Sequence, residues 1–444
     1  MDAVLLARIQ FALTISFHYL YPPLSIGLAL ALVVMEGMYL RTRNPLFLKM
    51  TKFWAEIFGL TFAIGVATGI VMEFQFGTNW AGYSRYVGDV FGSPLAAEGI
   101  FAFFLESSFL AILLFGWNRV GPRMHFFSTL MVALGSALSA VWIVAANSWM
   151  QTPAGFHIVG EGANARAEIT DFWQMLFNPS FLDRIHHVLM GAWQTGAWFI
   201  LSVSAYYLLR RKFEDFAKAC MKIALVLAFV SAMGQLVSGH ASGITVAKYQ
   251  PVKLAAFEGH FEESAPGKLY LFGWLDEKGE EVRFGLGFPG MLSLLVHFNP
   301  QAPLPGLNAF PKRDWPPLNI VFQSYHVMIA VGMGLIGLSV LGIFLWWRGL
   351  LFQSRWFLML LIPAFLGPQI ANQTGWIAAE VGRQPWIVYG LLRTSAGVSR
   401  VVSANEILIS LVMFTTVYGL IFLLFMSFLF RKIYLGPSDG KVSE

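Results

Sequence analysis

Residues 356–386 read WFLMLLIPAFLGPQIANQTGWIAAEVGRQPW. Most of the stretch is apolar enough to lie in lipid. It closes on a carboxylate, a guanidinium and a proline: Glu380, Arg383 and Pro385. About 20 apolar residues suffice to cross a bilayer, and an ionised side chain at the edge of the hydrocarbon needs a partner or a task. A buried cofactor carrying anionic side groups would supply one.

The rest of the chain has the same character. Of 444 residues, 57% are hydrophobic and 12% charged. The charged share is about half that of a soluble domain, which excludes a soluble helical enzyme. One cysteine, Cys220, rules out an internal disulfide and any multi-cysteine metal or iron–sulfur site. The net charge of +5 does not indicate nucleic-acid binding, because Lys and Arg in a membrane chain mainly record topology. The first apolar run, 9–40, is too long for a signal-peptide core and lacks a strong basic leader, so no cleavable signal is expected.

The expected fold is an all-α integral membrane protein with about nine transmembrane helices, near 9–39, 53–75, 95–117, 126–149, 184–209, 217–239, 320–347, 356–379 and 404–430. Basic residues gather in alternate connections: Arg41, Arg43, Lys49 and Lys52; Arg119 and Arg123; Arg210, Arg211, Lys212 and Lys218; Arg348 and Arg355; then Arg431, Lys432 and Lys441. The positive-inside rule makes that side cytoplasmic, with the N-terminus outside and the C-terminus inside. The long polar segment 240–319, between helices 6 and 7, then falls on the outer face, where a loop of that length suggests function. The chain reads as one membrane domain, 1–444, with that loop within it.

Several residues could carry chemistry. His18 lies within the first span, just before Pro22 and Pro23, which should distort the helix and could open a cavity beside the ring. Glu98 and Glu106 lie ~12 Å apart and ~80° round one helix, on a broad shared face that suits a proton route or a cation site. His186 and His187 point about 100° apart, so at most one faces a given group. Met328 reads as apolar filler unless it has a haem partner, since His and Met form a known low-spin axial pair. No CxxCH haem attachment site, phosphate loop, histidine-rich copper centre or serine or cysteine catalytic set is evident.

Taken in order, these segments resemble subunit I of the cytochrome bd-type quinol oxidases. The likeness rests on RIQFALT (8–14) with His18, TKFW (51–54), GVATG (65–69), MEFQFGTNW (72–80), the Glu98/Glu106 block, VALGS (132–136), NSWMQ (147–151), KLAAFE (253–258), GWIAAE (375–380) and GRQPW (382–386). It covers nearly the whole chain. It implies a low-spin haem b held by His187 and Met328, with His186 as the competing ligand. It implies a high-spin haem b and a haem d, or a third haem b, using His18 and Glu380 as iron ligands, with Arg383 as their basic partner. Glu98 and Glu106 match acidic residues beside the oxygen site and its proton route. Lys253 and Glu258 match quinol-binding positions of the outer "Q loop".

The resemblance further implies a terminal oxidase of a bacterial or archaeal cytoplasmic membrane. Such an enzyme oxidises quinol outside and reduces O2 to water, building proton motive force without a pump. A second membrane subunit, subunit II, is implied, and a small single-helix subunit is allowed. The sequence departs from the family pattern at several points. His326, expected among the haem-binding residues, stands where many relatives have Arg, Gly239–Gly243 replaces a more acidic stretch, Gln373 stands where Glu is common, and the outer loop is short. These suggest a divergent branch near the cyanide-insensitive group. Two rivals remain at this stage. A haem b anchor passing electrons between quinone and a dehydrogenase would leave His18, Glu106 and Glu380 idle. A proton- or cation-coupled transporter would use Glu98, Glu106 and the helix broken at Pro363 and Pro368.

Overall fold

The computed structural model describes residues 2–437; Lys441, counted above among the basic ends, lies outside the described residues. The chain is an all-α membrane protein. Among the described residues, eight helical segments are long and apolar enough to cross a membrane. Among the described residues, the strands pair into three two-stranded hairpins in the connections.

The first span is a broken helix, α1 (Ala3–His18) and α2 (Pro22–Thr42). Pro22 and Pro23 lack the amide hydrogens that would continue the ladder. Two carbonyls near the break are taken up by side chains from elsewhere: Gln373 donates to Ser16 O at 2.8 Å and Gln369 to Leu20 O at 3.0 Å. An ionised glutamate at 373 could not make that donation.

Helix α3 (Pro45–Thr78) follows, then the short α4 (Ala81–Tyr86). The next span is α5 (Gly88–Ala97), a π-helical turn at Glu98–Phe103, and α6 (Phe104–Phe115). Such widened turns are rare and collect at functional sites; here Glu98 opens one. After α7 (Pro122–Gln151) come the hairpin β1 (Phe156–Val159) and β2 (Arg166–Ile169) and the short α8 (Phe172–Leu176). Two long helices follow, α9 (Phe181–Leu209) and α10 (Glu214–Tyr249).

Helix α10 runs ten residues beyond the expected end of span six, so residues 240–249, expected as loop, are helical. The polar segment that follows is folded. It holds α11 (Pro251–Glu258), the hairpin β3 (Leu269–Asp276) and β4 (Glu281–Phe288), and α12 (Met291–His297). Helix α13 (Leu318–Trp347) re-enters the membrane. The span expected at 356–379 is two pieces, α14 (Arg355–Ala364) and α15 (Leu366–Val381). The Pro368 ring collides with the carbonyl four residues back, which places the break at 364–366. A small hairpin, β5 (Trp386–Val388) and β6 (Leu392–Arg393), and the turn α16 (Thr394–Gly397) lead to α17 (Ala404–Leu435).

Helix α9 is the most buried span, packed between α2, α10 and α14. At its crossing with α2 the two backbones touch through glycines. A Cβ on Gly27 would lie 2.6 Å from Gly196 N, and one on Gly196 would lie 2.7 Å from Gly27 Cα. The ends of the bundle differ in character. At one end the Tyr207 hydroxyl donates to Ile433 O, Lys432 pairs with Glu56, and Lys52 stacks on Trp117. The basic connections therefore gather at one end. Gln151, Arg184, Gln250, Glu380 and Arg383 gather at the other.

The glycine crossing yields a test. Gly196→Ala places a methyl against backbone that cannot yield, at a cost of about 1–3 kcal/mol. Gly419→Ala on α17 meets open space. In thermal unfolding of the detergent-solubilised protein, the first change should lower the midpoint by several degrees and the second should not.

Candidate active site

At the loop-bearing end, four elements bring their ends together. Glu380 closes α15; its Oε2 pairs with Arg383 Nη2 at 2.5 Å. Its Oε1 accepts from Asn147 Nδ2 at 3.1 Å and Gln151 Nε2 at 3.0 Å, both from the end of α7. Arg184, from the first turns of α9, reaches the same oxygen at 3.7 Å and donates to Asn147 Oδ1 at 2.9 Å. Lys253 of α11 donates to Gln151 Oε1 and Gln250 Oε1, each at 2.5 Å.

Two guanidiniums thus share one carboxylate, with the Lys253 amine one amide side chain away. Lys253 is 1% exposed and Arg383 5%, and Arg383 Nε and Nη1 have no partner among the described residues. Burial drives the Lys253 amine well below the usual lysine range, with Arg184 pushing the same way. A buried guanidinium with two idle edges is expensive, so the cluster is built to receive anionic oxygen.

Beside the cluster lies a cavity of about 440 Å³ between α9, α10, α11, α13 and α15. His187 and Met328 line it, and so do Arg184, Lys253 and Glu258. His186 is exposed and does not line it. Glycines form part of the wall: a Cβ on Gly243 or Gly332 would meet nothing within 4 Å, and one on Gly375 would lie 2.8 Å from Met328 Sδ.

The His187 ring is oriented from behind. Its Nδ1 lies 3.0 Å from Ser238 Oγ, whose own hydrogen points to Gln235 O at 3.2 Å. The serine oxygen therefore accepts from Nδ1–H, which leaves the lone pair on Nε2. That nitrogen faces the Gln235 side-chain amide, which also lines the cavity. His18 repeats the device. Its Nδ1 lies 2.9 Å from Thr68 Oγ1, and that hydroxyl donates to Ile64 O at 2.9 Å.

Glu98 accepts from Ser139 Oγ at 2.5 Å, and Glu106 accepts from Ser136 Oγ. Both serines belong to α7. His326, expected near the cofactor, does not line the cavity. Its ring stacks on Phe322 at 3.9 Å, and its nitrogens face Phe322 O at 2.8 Å and Tyr270 O at 2.9 Å, which ties α13 to β3. Glu258 does line the cavity. It is 1% exposed, and neither oxygen meets a partner in full hydrogen-bonding geometry.

Sequence reading overlooked Arg184, Thr68, Gln235 and Ser238 as site residues. Arg184 stands three residues before His187 and so shares its helix face, a signal that was present.

Residues 6–437 match the family described as Cytochrome bd terminal oxidase subunit I. The chain belongs to that family. It is 40% identical to cytochrome bd ubiquinol oxidase subunit 1 of Bacillus subtilis (strain 168), covering 98% of this chain and 94% of that protein. It is 35% identical to cytochrome bd-II ubiquinol oxidase subunit 1 of Escherichia coli (strain K12), covering 98% and 97%. The solved structure of bd oxidase from Geobacillus thermodenitrificans superposes with a TM-score of 0.91 at 32% identity, over 98% of this chain and 99% of that one.

Membership of a cytochrome family implies haem, and subunit I implies a partner subunit. The residues present fit a haem. A flat macrocycle with two carboxylate arms needs a wall that side chains do not fill and cations at its rim. The cavity has glycines in its wall, His187, Met328, Arg184 and Lys253 among its lining, and Arg383, with its idle guanidinium edges, next to Arg184 on the shared Glu380 carboxylate.

Spectra of variants test the fit. His187→Ala should abolish the low-spin haem band and His186→Ala should keep it. Ser238→Ala should keep the band but weaken haem retention about 10–100-fold, the usual cost of losing the group that orients a ligand.

Proposed function

We propose that this chain is the haem-bearing subunit of a quinol:O2 oxidoreductase in the cytoplasmic membrane of a bacterium or archaeon. The reading takes the chain as one membrane domain, 1–444, with its Q loop in 240–319. The N-terminus and the loop-bearing end face outward, and the basic end and C-terminus face the cytoplasm. That orientation rests on the clustering of Lys and Arg at one end of the bundle. Partners are a subunit II, quinol, O2 and the bilayer, with room for a small single-helix subunit.

The observation that carries the proposal is the cavity holding His187, Met328 and Glu258 beside the cationic cluster. His187 and Met328 would hold a low-spin haem b. His18 and Glu380 would each hold a high-spin haem, one b and one d or a further b. When bound, the haems supply one-electron transfer from quinol and the binding and reduction of O2. The chain's own residues do the rest. Ser238 and Thr68 hold the histidine rings through Nδ1, which keeps the lone pair on Nε2. Arg383, Arg184 and Lys253 balance haem carboxylates, and Glu380 would release one of its present partners on ligating. Lys253, buried among amides, would meet a quinol oxygen only from the cavity side.

Quinol oxidation releases two protons, and Glu258 is placed to accept one at the outer face. Protons consumed in water formation would arrive from the cytoplasm through Glu106 and Glu98, which the α7 serines orient. Release outside and uptake inside builds proton motive force without a pump.

Glu258 gives the test. Burial pushes its carboxyl up to about 8, with the Tyr325 hydroxyl pulling the other way. Below that pH the group is protonated and cannot accept, so quinol oxidation should rise as pH climbs through about 8. Glu258→Gln should slow turnover about 100-fold and remove that limb of the pH profile while the haem spectra stay unchanged. An unaltered profile would remove Glu258 from the reaction.

A further inference from the structure

Away from the haem cavity, at the basic end of the bundle, two buried ionisable groups face one another. Glu36 lies near the end of α2 and His125 in the first turn of α7; they are 2% and 3% exposed. His125 Nδ1 lies 2.7 Å from Glu36 Oε1, and Thr129 Oγ1 donates to Glu36 Oε2 at 2.5 Å. The carboxylate accepts from Nδ1–H, so the lone pair sits on Nε2, which is buried without a partner among the described residues. Trp117 stacks on the ring at 3.8 Å, and Lys52 of α3 lies over that indole at 5.4 Å. The residues just before His125, 121–124, are exposed.

A buried acid–imidazole pair could simply fasten α2 to α7. Two observations go further. The first is the idle Nε2, which a fastening role does not need and which can take up a proton. The second is the pattern on α7. Three carboxylates in the membrane region each accept a hydrogen bond from an α7 hydroxyl: Glu36 from Thr129, Glu106 from Ser136 and Glu98 from Ser139. At 1.5 Å rise per residue, those hydroxyls lie about 6, 16.5 and 21 Å along the helix from His125. The series starts within a turn of the basic end and runs most of the way through a hydrocarbon core about 30 Å thick.

We infer that Glu36 and His125 form the cytoplasmic entry site of the proton route that Glu106 and Glu98 continue. A proton taken up at Nε2 releases the one on Nδ1 to the Glu36 carboxylate. Glu36 then hands it toward Glu106, and the ring returns its remaining proton from Nε2 to Nδ1 before the next cycle. Charge is restored after each transfer, and no oxidant or reductant is involved. The step from Thr129 to Ser136 is the longest, about two helical turns, and is the one that requires bridging water. Lys52, held over Trp117, lends the entrance a positive neighbour without touching the pair.

The inference rests on the proposed role of Glu106, and the experiment separates the two. Proton uptake is followed with a pH dye after O2 is admitted to the reduced two-subunit complex, in wild type, Glu36→Gln and Glu106→Gln. Haem spectra confirm assembly. Both variants should take up protons at least about tenfold more slowly with normal spectra. Slow uptake in Glu106→Gln with wild-type uptake in Glu36→Gln would overturn the entry site and leave the pair as a helix fastener. Wild-type uptake in both would overturn the Glu106 route and the entry site with it. If Glu36→Gln fails to assemble, Thr129→Val, which removes one hydroxyl, should slow uptake several-fold; unchanged uptake there overturns the inference.

Discussion

Two guanidiniums and a buried amine crowd around one carboxylate at the loop-bearing end of the bundle, and the site is arranged around that imbalance. Arg184 comes from α9, Lys253 from α11, Glu380 from the end of α15 and Arg383 from the turn after it. No protein group neutralises the surplus among the described residues, and two edges of Arg383 stay idle. A buried surplus of this kind is tolerable only where an anion joins it. The adjoining cavity, with its glycine walls and its His187 and Met328 lining, is where a redox group carrying that anion would sit.

A second economy recurs through the membrane interior. Helix hydroxyls that spend their own hydrogen on a backbone carbonyl become acceptors, and Thr68 and Ser238 use this to fix the His18 and His187 rings. Hydroxyls on α7 do the reverse and donate to carboxylates. Both uses keep ionisable groups ready inside hydrocarbon, where water cannot orient them. The same logic governs the broken first span, where the Gln369 and Gln373 amides cap carbonyls near His18.

The spans were legible because length and apolarity are local properties, and the basic residues that mark one end are local as well. The end of α10 was misplaced because residues 240–249 are polar while still helical: His240, Ser242 and Gly243 line a cavity. The break in α14–α15 was signalled by Pro363 and Pro368, but apolarity alone counted it as one helix. Within the site, the residues that resemble the family's motifs were legible by number. Their supports were not. Ser238 lies 51 positions from His187, Thr68 50 from His18, and His125 89 from Glu36. Only the fold brings them together. Arg184 went unremarked as a site residue although it shares a helix face with His187, and His326, expected at the haem, is held by β3.

The most direct test of the account is a pair of difference spectra, reduced-minus-oxidised and carbon monoxide, on the purified two-subunit complex with haem extraction. The account predicts a low-spin b signal that ignores carbon monoxide, since His187 and Met328 would fill both axial positions, and a separate haem that binds it. A red-shifted chlorin band would mark that haem as d, and its absence an all-b variant. Haem that nowhere binds carbon monoxide would contradict oxygen reduction by this chain.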